Sequence, residues 1–85
     1  MPEVVVYSTG SCPFCIRART LLEKKGVAYT EFRVDQEPDL RPEMEQRAGQ
    51  TSVPQIFIDD YHVGGFDDLS ELEIDGKLDE LLGLA

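Results

Sequence analysis

The sequence predicts an α/β fold, a four-stranded mixed sheet with helices on both faces. Three observations lead there. A short β-branched run, Val4-Val5-Val6-Tyr7, is followed by a loop and a helix-like segment. Apolar spacing then switches between the strand period of two and the helical period as the chain proceeds. The last two strand-like runs are separated only by Asp59-Asp60. The element order is βαβ, then a helix, a β-hairpin and a helix. Two strands joined through a helix should be parallel with a right-handed crossover, and two joined by a tight turn antiparallel.

Each element has a local reason. Val4 to Ser8 is short and β-branched, as a buried strand is. Ser8-Thr9-Gly10-Ser11 is a loop. Pro13 suits the first position of a helix, where its missing N–H costs nothing. That helix runs to about Lys25. Gly26 can stop it in a left-handed conformation, while Lys24 and Lys25 complement the C-terminal dipole. Tyr29 to Val34 alternates as a second strand, with Tyr29, Phe32 and Val34 as candidate buried residues. Pro38 opens an acidic helix to about Ala48, and Gly49 ends it. Gln55 to Asp59 is a third strand and Tyr61 to Val63 a fourth. Gly64-Gly65 breaks the pattern. Asp68 is placed to cap a last helix that begins near Leu69, pauses at Asp75-Gly76 and resumes to Leu82.

Composition bounds the function. Eighty-five residues make one domain, residues 1–85. The apolar fraction of 41% supplies a core. No apolar run approaches the roughly 20 residues of a membrane span, and the N-terminus lacks a basic-then-apolar signal. The cytoplasm is the default location and a monomer the default state. The net charge of −9 argues against nucleic acid and anionic membranes as partners. The charge is uneven: Arg17, Arg19, Lys24 and Lys25 cluster with one acid, Glu23, while acids crowd Asp59 to Glu80.

The chemistry sits in Cys12-Pro13-Phe14-Cys15, which holds both cysteines of the chain. Two intervening residues allow an intramolecular disulfide. At a helix start, unpaired backbone N–H groups and the helix dipole stabilise a thiolate, the attacking species. At about 100° per residue, Cys15, Ala18 and Leu22 share one stripe, so Cys15 faces the core. Cys12 lies at the stripe's edge and at the open helix end. An exposed nucleophile and a buried resolving thiol is the arrangement thiol–disulfide exchange requires. Half of a structural zinc site is the competing reading, but zinc wants four ligands and His62 is the only histidine. No metal is expected.

Two further segments complete the pattern. Pro54 cannot donate to a sheet and stands directly before the apolar strand Ile56-Phe57-Ile58. A cis Val53–Pro54 bond would leave Val53 with free backbone groups beside the thiols. The glycines of Gly64-Gly65-Phe66-Asp67-Asp68 permit close approach or positive φ. Asp67 and Asp68 then serve as helix caps, or grip a ligand's ammonium group together with backbone N–H groups.

Taken together, Cys12-Pro13-Phe14-Cys15, Ser52-Val53-Pro54-Gln55-Ile56-Phe57-Ile58 and His62-Val63-Gly64-Gly65-Phe66-Asp67-Asp68-Leu69 resemble a glutaredoxin, most closely the short bacterial dithiol kind. The resemblance covers nearly the whole chain. It implies a thioredoxin fold with Pro54 cis and facing the thiols. It implies glutathione as co-substrate, with glutathionylated or disulfide-containing proteins as partners. Cys12 would attack and Cys15 would resolve. Val53 would pair its backbone with the glutathione cysteine. Gly65, Asp67 and Asp68 would hold the γ-glutamyl end, and Gln55 or Arg47 would lie near the glycine carboxylate.

The chain departs from the family pattern at three positions. Many members carry a lysine where Thr9 stands, a tyrosine where Phe14 stands and a threonine where Ser52 stands. Thr9 removes a cation beside the first cysteine. One alternative shares the chemistry, an electron donor to ribonucleotide reductase; another is of a different class, a binding module that holds an iron–sulfur cluster at a homodimer interface through Cys12 and glutathione. Pro13 and the second thiol disfavour the cluster, since the specialised monothiol relatives usually have glycine after the nucleophile.

Overall fold

A computed structural model describes residues 2–84. The central strand is β1 (Val4–Ser8), buried along its whole length. Alternate side chains leave opposite faces of a strand, so an unbroken apolar run needs cover on both sides. Val4 and Val6 point to one layer and Val5 and Tyr7 to the other. The first layer is built by α1 (Pro13–Lys24), α3 (Phe66–Ile74) and α4 (Lys77–Leu81), through Ala18, Leu22, Leu69 and Leu78. The second is built by α2 (Leu40–Ala48), which drives Met44 against Val5, Tyr7 and Phe57.

The remaining strands are β2 (Thr30–Arg33), β3 (Gln55–Ile58) and β4 (Tyr61–Gly64), and the sheet order is β2-β1-β3-β4. β1 pairs parallel with β2, with Val6 opposite Glu31 and Ser8 opposite Arg33. It pairs antiparallel with β3, with Val6 opposite Ile56. β3 and β4 form the hairpin, turned by Asp59 at φ 53°. This is the mixed sheet the sequence predicts. Its topology carries the end of β1, the start of β3 and the starts of α1 and α3 to one edge of the molecule.

Helix boundaries shift for local reasons. Lys25 caps α1, and Gly26 follows at φ 72°. α2 starts at Leu40, two residues after Pro38, because Leu40 and Arg41 first bond back to the Glu37 and Pro38 carbonyls as a turn. Pro42 is tolerated inside because first-turn positions need no N–H partner. Gly49 ends α2 in the left-handed region, as expected. The largest correction is at α3, which begins at Phe66 rather than Leu69. Asp68 caps it from within: its carboxylate reaches back to accept the Gly65 N–H at 3.1 Å. Of the three residues expected inside after Ala28, only Val34 is fully buried, while Tyr29 and Phe32 are half-buried.

Candidate active site

Cys12 is the N-cap of α1, in extended conformation (φ −85°, ψ 115°). Its Sγ accepts the Cys15 N–H at 3.3 Å. The thiol also donates to the Val53 carbonyl oxygen at 3.7 Å. The unpaired N–H end of a helix thus meets a half-exposed sulfur. Cys15, one turn on, is buried beside Ala18 and Leu22. Burial pushes its thiol up to about 12, and the neighbouring Cys12 sulfur acts the same way. The Thr9 backbone and the Arg19 charge pull it back. Both cysteines are free thiols. One is reachable and the other held protonated, which is the division of labour that thiol exchange needs.

A groove of about 220 Å³ opens beside the pair. One wall is Ser52, Val53 and Pro54, with Val53–Pro54 cis. The other is Gly65, Asp67 and Asp68, the start of α3. The walls meet the aromatic pair Phe14 and Phe66, stacked with centroids 6.3 Å apart. Gly64, at φ 110°, makes the sharp exit from β4, and a Cβ there would collide with the Asp68 carboxylate. The loop before Cys12 is pinned from β2's end. Asp35 accepts the Gly10 N–H at 3.1 Å and takes a two-pronged bond from Arg33. The Arg33 guanidinium holds the Asp35 carboxyl well below the usual carboxylate range.

The family model for glutaredoxin matches residues 4–63. A glutaredoxin of Pseudomonas aeruginosa is 56% identical over 82 residues, spanning 96% of this chain and 98% of that protein. Glutaredoxin 3 of Escherichia coli is 49% identical over 82 residues, spanning 96% and 99% respectively. The crystal structure of a buckwheat glutaredoxin–glutathione complex superimposes with a TM-score of 0.89 at 35% identity, covering 96% of this chain and 77% of that one. The chain belongs to the glutaredoxin family. As a glutaredoxin it is a thiol–disulfide oxidoreductase with a thioredoxin fold.

In this glutaredoxin, Cys12, Val53, Pro54, Phe14, Gly65, Asp67 and Asp68 come together as the spacing of the three segments suggests. Gln55 and Arg47 do not reach the groove. Gln55 is fully buried. Its amide nitrogen donates to Gln50 Oε1 and the Ser52 carbonyl, both at 3.0 Å, and its oxygen meets His62 Nε2 at 2.7 Å. It lies on the α2 side of β3, opposite Tyr7 in the register. Arg47 stacks on the Phe57 ring at 4.0 Å and is occupied there. Sequence reasoning passed over Gln50 and the role of Phe66. Gln50 lies two residues before the Ser52–Ile58 segment and Phe66 lies inside the Gly64–Asp68 segment, so proximity to Val53 or Gly65 was the available signal. Among the described residues no His, Cys, Asp and Glu cluster is arranged to hold a metal. No helix among them is long and apolar enough to cross a membrane.

Proposed function

We propose that the protein reduces protein–glutathione mixed disulfides and protein disulfides, with Cys12 as nucleophile, Cys15 as resolving thiol and glutathione as the reductant. The observation that carries this is the seat of Cys12 Sγ. It lies at a helix N-cap, 3.7 Å from the Val53 carbonyl, at the rim of a groove with carboxylates on its far wall. Cys12 thiolate attacks the glutathione sulfur of the mixed disulfide. The Cys12–glutathione bond forms and the substrate leaves as a thiolate, which takes up a proton. A second glutathione thiolate then attacks the bound glutathione sulfur, releasing oxidised glutathione and regenerating Cys12.

The groove offers matching chemistry along a tripeptide. Val53 presents backbone groups for strand-like pairing with the glutathione cysteine. At the start of α3, unpaired N–H groups suit the γ-glutamyl carboxylate, and Asp67 and the second oxygen of Asp68 suit its ammonium. At the other end Gln50 Oε1 is engaged by Gln55, which leaves the Gln50 NH₂ to donate to the glycine carboxylate. Gln55 therefore serves glutathione through Gln50, in place of the direct contact the resemblance implies. Arg47 has no part in this reading. In the dithiol route Cys12 attacks a protein disulfide and Cys15 closes a Cys12–Cys15 bridge. The cytoplasm, with its glutathione pool, is the setting this reading assigns.

Turnover of a glutathionylated peptide by the Cys15→Ser protein tests it, with glutathione, glutathione reductase and NADPH present. Sustained turnover is expected. Inactivity of both Cys15→Ser and the unaltered protein would sink the glutathione reading.

A further inference from the structure

One polar cluster lies outside the groove and has no part in the steps above. Ser8, at the end of β1, is fully buried. Its hydroxyl donates to Glu31 on β2. Arg19, on α1, donates to the same Glu31 oxygen at 2.6 Å and stands 3.5 Å from the Ser8 hydroxyl. The Arg19 side chain is only 19% exposed. Arg19 follows Cys15 by one helical turn, the spacing at which side chains become neighbours. The Glu31 carboxylate and the buried Ser8 hydroxyl thus fix the Arg19 guanidinium one turn along α1 from the resolving thiol.

We propose that Arg19, anchored by Glu31 and Ser8, is a positioning residue for the resolving step: its charge readies Cys15 to attack once Cys12 is tied up in a mixed disulfide. This rests on the dithiol route proposed above. The groups that act on Cys15 are Cys12 at the helix start, the Thr9 backbone, Arg19 on α1 and Arg33 on β2, with Glu31 of β2 bonded to Arg19 and offsetting part of its charge. In the free protein burial holds a proton on Cys15, and the neighbouring Cys12 sulfur adds to that. A mixed disulfide at Cys12 removes the second effect. Burial is then opposed by the Thr9 backbone and the fixed charge of Arg19. The attack balances: Cys15 Sγ bonds to Cys12 Sγ, and the bond from Cys12 to the carried thiol breaks. The departing thiolate takes the proton that Cys15 gives up. The cysteine pair is oxidised and the carried thiol reduced.

An aromatic disulfide that liberates coloured nitrothiobenzoate reads both steps without glutathione. One equivalent appears when Cys12 attacks, and a second when Cys15 closes the bridge. Loss of the charge in Arg19→Gln lowers the thiolate fraction of Cys15, and for every tenfold loss of thiolate the more basic sulfur recovers about threefold in reactivity. The second phase should therefore slow about threefold near neutral pH, with its midpoint moved up and the first phase unchanged. Arg19→Lys should restore it. An unchanged second phase at every pH overturns the proposal. So does an equal slowing of the first phase, which would place the effect on Cys12 or on the fold. Failure on glutathionylated peptide alongside a normal two-phase release would strike the glutathione reading and leave this one standing.

Discussion

Replacing Gln55 with leucine separates a role in the fold from a role in the groove. The volume is nearly kept, so packing between β3 and α2 should survive. What goes is the amide that joins His62, Gln50 and Ser52. Gln50 and Ser52 are exposed and can turn to water. His62 is half-buried and loses its 2.7 Å partner. One unsatisfied group of that kind costs about 1–3 kcal/mol. For a domain of this size, about 2 kcal/mol lowers Tm by roughly 8–16 °C. The groove effect is separate. If the Gln50 amide contributes about 1 kcal/mol to a carboxylate at an exposed rim, its release raises the glutathione KM about fivefold. Gln50→Ala should raise KM by the same factor without moving Tm. The double variant should show no further rise, because both substitutions remove one contact. Peptide deglutathionylation at varied glutathione, beside thermal unfolding, measures all of this. A folded Gln55→Leu protein with unchanged KM would refute the route through Gln50, and additive KM effects would refute their being one interaction.

Thr9→Lys should lower the glutathione KM by restoring a cation next to the thiol; equal constants for the two proteins would dismiss that contact. Stability should fall as pH rises through the alkaline range. The fold keeps protons on Cys15 and Tyr29, each pushed up to about 12, and on Tyr7, also raised, that the unfolded chain releases from about pH 9 upward. Urea midpoints from neutral to strongly alkaline pH should show the decline, and Cys15→Ser should remove its earliest part; a flat profile would contradict it. Gly64→Ala should cost about 2 kcal/mol or more, since a Cβ at φ 110° is strained and meets the cap of α3. A urea midpoint unchanged by that substitution would show that the cap relaxes freely.

The fold was legible because its elements announce themselves locally. Val4 to Tyr7 needs two-sided cover, Pro13 and Gly26 bracket α1, and Asp59-Asp60 closes the hairpin. The errors came where a tertiary contact replaced a local signal. Asp68 looked like a residue ahead of a helix because a cap commonly precedes it, yet here it bonds backward from the third helical position to Gly65. Gln55 was placed at the groove by the family resemblance alone. Strand alternation places it on the far face, and only the packed structure shows its amide bonded to Gln50. The Ser8–Glu31–Arg19 cluster was invisible for a similar reason: its members come from three elements, and nothing short of the parallel register aligns them.

The long sequence gap across the site has a consequence for how the protein comes into being. Val53 follows Cys12 by 41 residues. At a synthesis rate of about 5–20 residues/s, the thiols leave the ribosome about 2–8 s before the strand segment that will face them. Until β3 pairs with β1, the site lacks its second wall, and the two cysteines have only a nascent helix to tell them apart. The unequal thiols on which the chemistry depends are therefore acquired late in biosynthesis, when the sheet closes. A newborn chain is a pair of ordinary thiols in a cell full of oxidised and reduced partners, and becomes a catalyst only when its last two-thirds arrive.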